Sequence, residues 1–303
     1  DKIRRKEYNW RKNKKYVEPI QINTDEAIKI TSRDFNKELF IANKWVLLHY
    51  NFKNSVISTF LEDESIRGML QINTDEILVS TVNKGWYVIN LETKLFKQYE
   101  TTYKNKPFII KASRAIFEDE NYYWSNNEKG IIWVNKKTKE VKFEIYYPPS
   151  ALIEDENYIY YGTKNLSLLK FDKKSKKNSI IKETAAYDIQ GILKLKKRIY
   201  LACAEGLVIY ENDKTTLFAP SKNGNDNFFL SIVNHPKHGI LLGSHSGKLF
   251  KFNPKNNSFF LLYEDELKSS IATILFDNNN NIWLNTFQGI ISLNSNNKIS
   301  NRF

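Results

Sequence analysis

A unit of roughly 40 residues recurs along this chain, and no other feature narrows the possible folds as sharply. Each copy carries a polar Asp/Asn turn, a short aromatic-aliphatic run, a polar loop, and a glycine that opens a second apolar run. The clearest copy is DNNNNIWLNTFQGI (277–290). EDENYYWSNNEKGI (118–131) follows the same plan, and EDENYIYYGTKNL (154–166) keeps its first half. Further copies are TDEILVSTVNKGWYVI (74–89), KKRIYLACAEGLVIY (196–210) and KHGILLGSHSGKLFKF (237–252). A divergent one, NKELFIANKWVLLHYN (36–51), lacks the glycine. The marker positions Gly85, Gly130, Asn165, Gly206, Gly247 and Gly289 stand 45, 35, 41, 41 and 42 residues apart.

Each unit holds four short runs rich in Ile, Val, Tyr, Phe and Trp, bounded by Asn, Asp, Lys, Gly and Ser. In the sixth they read FFLSIV, GILLGS, GKLFKF and SFFLLY. That is strand composition between turn residues, and no amphipathic helical stretch of 12 or more residues interrupts 27–303. A single four-stranded sheet of this size cannot bury both of its faces. Seven such sheets packed radially can, and the predicted fold is an all-β, seven-bladed β-propeller of four-stranded antiparallel blades. The expected blades are 27–63, 65–100, 111–146, 147–183, 184–222, 227–265 and 269–303, within a propeller domain of 25–303. Residues 1–24 form a basic N-terminal extension, in which KYVEPIQIN (15–23) is available as a ring-closing edge strand.

Composition excludes several classes. The net charge of +12 comes largely from lysines in short clusters, NKKTKE (135–140), DKKSKK (172–177) and KLKKR (194–198), at the positions of hairpin turns. They line no helix, so no nucleic-acid interface is expected of this domain. The one cysteine, Cys203, can form neither an intrachain disulfide nor a Cys-based metal site. No apolar run is long enough to span a membrane, so no membrane span is expected within this sequence.

The units resemble the two-component regulator propeller repeat, whose pattern runs roughly V-x-x-I-x-x-D-x-x-G-x-[IL]-W-[IV]-G-T-x-x-G-[IL]. In the last unit Asp277, Asn281, Ile282, Trp283, Thr286, Gly289 and Ile290 match, with Asn285 in place of the second glycine. The third unit matches through Asp119, Trp124, Gly130 and Ile131; Gly162, Thr163 and Gly243 match in the fourth and sixth. The resemblance implies the sensory ectodomain of a bacterial membrane receptor, as found in hybrid histidine kinases and triple-tyrosine-domain regulators. It implies a periplasmic location, with a signal or anchor outside this chain, and an output made by other domains. The partners it implies are a small-molecule or glycan ligand or a protein, with a homodimer as a further arrangement. A scaffold in a cell-envelope complex and a propeller lyase or glycan-active enzyme are the rival classes.

No phosphate loop, nucleophile elbow or H-E-x-x-H motif occurs, and no catalytic residue, metal site or cofactor is expected. The Asp277–Asn281 run has a single carboxylate, too few for a calcium loop, and reads as a turn. HPKH (235–238) reads as a surface turn without a third metal ligand. Loops between second and third strands share one face of a propeller with the connections from fourth to first strands. On that face the candidate ligand contacts are Lys129, Tyr147, Tyr187, His245 and Gln288, with Tyr103 to Lys106 in one of the connections. Arg67 and Arg114 begin first strands and are candidate anion contacts at the channel.

Overall fold

The second and third runs of each unit are strands covered on both faces. Ile282–Thr286 and Gly289–Leu293 are buried along their whole length, and Tyr158–Thr163 along all but its first residue. The fourth strands are different: Lys177–Ile181 and Lys214–Phe218 alternate between half-buried and exposed. This gradient is what radial stacking requires, with inner strands enclosed and the outer one at the solvent edge. The computed structural model describes residues 29–302 apart from 32–37, 43–46, 52–55, 62–63, 114–115, 128–129, 146–148, 164–166, 222–223, 225, 277–278 and 295. The N-terminal extension and its proposed closing strand lie outside the described residues.

Seven four-stranded antiparallel sheets follow one another, each built from strands consecutive in sequence. They span 29–60, 66–98, 116–145, 149–181, 189–218, 229–264 and 271–302. First strands of successive blades abut from the fourth blade to the seventh. In blades two and four to seven the first strand carries a bulge, leaving Arg67, Ser150, Gln190, Leu230 and Ala272 out of register with the second strand. A bulge at the same place in five blades bends the innermost strand where the blades converge.

The repeat motif now has physical reasons. The threonine at the end of the second strand closes the loop that follows: Thr81 Oγ1 donates to the Gly85 carbonyl and Thr286 Oγ1 to that of Gly289, both at 2.9 Å. Gly247, at φ +79, turns the corresponding loop of blade six; a Cβ there would lie 2.8 Å from the Lys268 backbone. In blade four this place is taken by Ser167, at φ +85, whose carbonyl accepts from Thr163 Oγ1 at 3.3 Å. The marker assigned to Asn165 from spacing therefore belongs two residues later, and Asn165 itself lies outside the described residues. The second-strand glycines Gly162 and Gly243 sit against the next blade. A Cβ on either would come within 2.6 Å of Ile189 or Ile271, each in the following first strand.

The aspartate of the first turn serves the second strand. Asp119 accepts the backbone N–H groups of Asn121 and Tyr122 and the indole Nε1–H of buried Trp124 at 2.6 Å. Asp155 accepts from Asn157 and Tyr158 in the same way in blade four. The lysine clusters are indeed turns. Asn90, Asn135 and Asp172 each accept two backbone N–H groups of the turn between third and fourth strands. Four residues on, Lys94, Lys139 and Lys176 adopt φ of 62°, 61° and 60°.

One element departs from the expected plan. Tyr103 to Lys106 is the turn of a two-stranded hairpin, Thr101–Tyr103 with Lys106–Phe108, inserted between blades two and three. Lys104 and Asn105 at its tip both have positive φ, 51° and 60°, the backbone of a tight two-residue hairpin turn. The hairpin clasps the outer edge of blade three. Thr102 N–H donates to the Lys139 carbonyl at 3.0 Å, and the Tyr103 ring lies 5.1 Å from that of Phe143.

Candidate functional site

Among the residues expected to contact a ligand, Arg114, Lys129 and Tyr147 lie outside the described residues. The other four are spread around the ring. Arg67 is the half-buried bulge residue of blade two. Tyr187 packs against the apolar seam of blades four and five, its N–H donating to the Thr184 carbonyl at 3.3 Å. His245 is exposed; its ring stacks on Phe228 with centroids 5.2 Å apart, and its carbonyl accepts from Ser270 Oγ at 2.7 Å. Gln288 stands exposed at the tip of the last blade's loop, its N–H on Thr286 Oγ1 at 3.2 Å. Beside His245, Asp226 accepts from Ser246 Oγ and pairs with Lys248 Nζ, both at 2.9 Å, so the loop face of blade six is crosslinked by charge. The hydrogen bond from Lys248, then that from Ser246, hold the Asp226 carboxyl below its ordinary pKa against the opposing effect of burial.

A cleft lies on the opposite face, where the first-to-second and third-to-fourth strand turns gather. It has a volume of about 370 Å³ and opens at the seam between blades five and six. Its floor is Tyr200, Ile240 and Phe252, all buried. Lys255 and His238 stand at its rim, and Lys251 borders it from the strand between Phe250 and Phe252, paired with Leu241 of the seam with blade seven. That size suits a ligand of one or two rings.

The HPKH turn builds one wall, and it departs from the expected surface turn. His235 is only 1% exposed. Its Nδ1 accepts the backbone N–H groups of Lys237 and His238, both at 3.1 Å. Nε2 is therefore the protonated nitrogen, and it donates to the Asn280 carbonyl of blade seven at 3.1 Å. With both nitrogens engaged and its ring against Phe276 at 5.1 Å, His235 is a rivet between two blades. It fixes the turn that holds His238 at the cleft, the two rings 4.8 Å apart. Burial, then the nearby charges of Lys237 and Lys251, push the His238 pKa down, so its ring is neutral near pH 7 and can both donate and accept. Sequence reading placed these residues in turns but had no means of aligning turns from two blades across a seam.

Blade one contributes a buried pair that spacing did not suggest. His49 Nε2 meets Glu38 Oε2 at 2.9 Å, and its ring stacks on Phe40 at 4.6 Å. No group of three or more His, Cys, Asp or Glu side chains gathers among the described residues. No helix among them is long and apolar enough to cross a membrane.

No protein-family model matches the sequence, and no curated protein matches it either. Solved structures do match the fold. One is described as the extracellular domain of a hybrid two component system, BT3049, from B. thetaiotaomicron: TM-score 0.70, 17% identity, 88% of this chain and 39% of that one. A second is the extracellular domain of BT4673 from the same organism, described as a one component system, with TM-score 0.69, 16% identity, and 91% and 40% coverage. This chain thus spans about two fifths of the length of those proteins. A computationally designed protein, Ika8, also matches at TM-score 0.60 and 9% identity. At such identities the likeness shows the architecture, which a designed chain shares.

Proposed function

We propose that this propeller is the extracytoplasmic sensing module of a bacterial two-component or one-component regulator, acting by binding and not by catalysis. The observation that carries the reading is the match along 88% of the chain to a domain described as the extracellular part of a hybrid two component system. The motif residues give it independent support, since Asp119 with Trp124 and Thr286 with Gly289 make in three dimensions the contacts that the repeat pattern pairs in sequence. A bound ligand or protein partner would alter the packing between blades or between this domain and the rest of the receptor. Chemistry would follow in domains elsewhere in the protein.

The test uses the full-length protein in its own cell. Protease added to cells with a permeabilised outer membrane and an intact inner membrane should cleave an epitope tag placed in the exposed turn at Lys196–Lys197. Deleting the propeller in frame should change transcription of a small set of genes. Protection of the tag until the cytoplasm is opened sinks the location. An unchanged transcriptome under all growth conditions in which the wild type responds sinks the sensing role and favours a scaffold.

A further inference from the structure

The seams between blades follow a rule that blade six breaks. The second strands of blades three, four and five place an aromatic side chain at the same register: Trp124, Tyr160 and Tyr200, each two residues after the strand's turn-end pairing. In two of these seams a lysine from the next blade covers the ring. Lys176 Nζ stands 4.3 Å from the centre of Trp124. Lys194 Nζ stands 5.6 Å from that of Tyr160 and is fixed by Asp155 at 2.9 Å. Over Tyr200 neither lysine is present. Asn257 holds the turn position of Lys176, with the same left-handed backbone at φ 55°, and Asn234 holds the strand position of Lys194. With both covering side chains shortened, the space above Tyr200 is the 370 Å³ cleft.

The charge that remains is of one sign. No carboxylate lines the cleft. Lys255 is held in no ion pair among the described residues. Phe252 and Ile240 offer an apolar bed below it, and Asn253 and His238 add neutral polar groups. A cation above an apolar floor fits an anionic group carried on a ring, since the floor removes ring surface from water while the rim compensates the charge.

We propose that the cleft between blades five and six binds a small organic anion, a carboxylate carried on a ring, with Lys255 contacting the anionic group and Tyr200 and Phe252 the ring. The proposal supplies the ligand class for the sensing reading and rests on it. Binding to the purified chain and signalling in cells are separate measurements, so either can fail alone.

The protein has four histidines, so His238 and His245 report the two faces separately in a histidine-labelled NMR titration. The probes are benzoate and glucuronate as the two sources of a ring carboxylate, benzyl alcohol as a neutral ring, and inorganic sulfate as charge without a ring. At least one ring carboxylate should shift the His238 signals saturably and leave His245 unmoved. Benzyl alcohol and sulfate should bind about tenfold more weakly or worse. Benzoate alone would mark an aryl acid and glucuronate alone an acidic sugar. The variant Asn234→Met, which fills the space without adding charge, should lose binding by about tenfold or more and keep its unfolding midpoint. Lys255→Gln should weaken binding comparably without filling the space. The proposal is overturned if no ring carboxylate saturates, if sulfate matches them, or if either variant binds like the wild type.

Discussion

Substituting Gly243 by alanine tests whether the blades meet as rigid surfaces. The added Cβ would lie 2.5 Å from Ser231 Oγ, 2.6 Å from Ile271 Cγ2 and 2.9 Å from Ile271 Cβ, where ordinary contacts begin at 3.4 Å. Two atoms must therefore retreat by nearly an ångström. Neither is the free end of a flexible chain. Ser231 Oγ donates to the Ile271 carbonyl at 3.1 Å and so ties blade six to blade seven, and Ile271 is fully buried in the seam. Overpacking of this kind costs about 1–3 kcal/mol, and losing the hydrogen bond adds about 1 kcal/mol. The expected loss is about 2–4 kcal/mol, read as a fall in the urea midpoint at unchanged slope, followed by tryptophan fluorescence. Gly224→Ala is the control: nothing lies within 4 Å of its Cβ, so only the strain of φ +58 remains, about 1 kcal/mol. Ser231→Ala removes one obstacle, and the double variant should lose less than the sum of the single ones by about 1 kcal/mol. A Gly243→Ala midpoint within error of the Gly224→Ala control would mean that the seam yields, and the steric account of the second-strand glycine would be refuted.

The same glycine shows how much of the fold could be read from the sequence. Repetition was visible because radial stacking gives each blade the same demands: an acidic turn to hold the strand-two ring, a small residue facing the next blade, and a hydroxyl to close the loop. Asp119, Gly162 and Thr286 answer those demands locally, so pattern alone finds them. The inserted hairpin was missed because its strands have three residues each and their stability comes from Phe143, far along the chain. Two consecutive residues at positive φ, Lys104 and Asn105, were its one local trace, and Lys is a weak marker of that conformation. The 45-residue spacing from Gly85 to Gly130 recorded the extra chain without saying what it did. The cleft was beyond reach for a different reason. It arises from two asparagines, Asn234 and Asn257, whose meaning depends on which residues of blades four and five hold the matching registers. That requires strand register, which a one-residue slip would invert.

Three further outcomes follow from the described contacts. Lys176→Met removes a cation lying over Trp124 and Trp133, at 4.3 and 5.3 Å, and should cost about 0.5–2 kcal/mol with a shift in tryptophan emission; unchanged emission and stability would show that the cation contributes nothing there. Cys203 is fully buried, and burial, then the charges of Glu205 and Asp188, push its thiol pKa up, so alkylation should proceed only as fast as the chain opens; a rapid reaction in native buffer would contradict this. Asp119→Asn carries a pH signature. Burial alone would raise the Asp119 carboxyl, but hydrogen bonds from Trp124, Tyr122 and Asn121 and the charge of Lys173 outweigh it, so the pKa in the fold is lowered. A lowered folded pKa means that the ionised carboxylate stabilises the native state above the ordinary carboxylate pKa of about 4. That contribution is lost as pH falls through the lowered value. The amide of the variant keeps one acceptor oxygen for the backbone N–H groups but turns an N–H toward the Trp124 indole N–H, setting donor against donor where a 2.6 Å hydrogen bond stood. The variant should therefore be about 1–3 kcal/mol less stable than the wild type at pH 7. The gap should narrow as pH drops below about 4, because the wild-type carboxyl then takes up the proton that costs it the same interaction. Urea midpoints measured from pH 7 down to the acid limit of the fold decide the matter. A gap that stays constant across that range would mean that the charge on Asp119 has no part in holding the strand-two tryptophan, and that the Asp–Trp pairing of the repeat rests on shape alone.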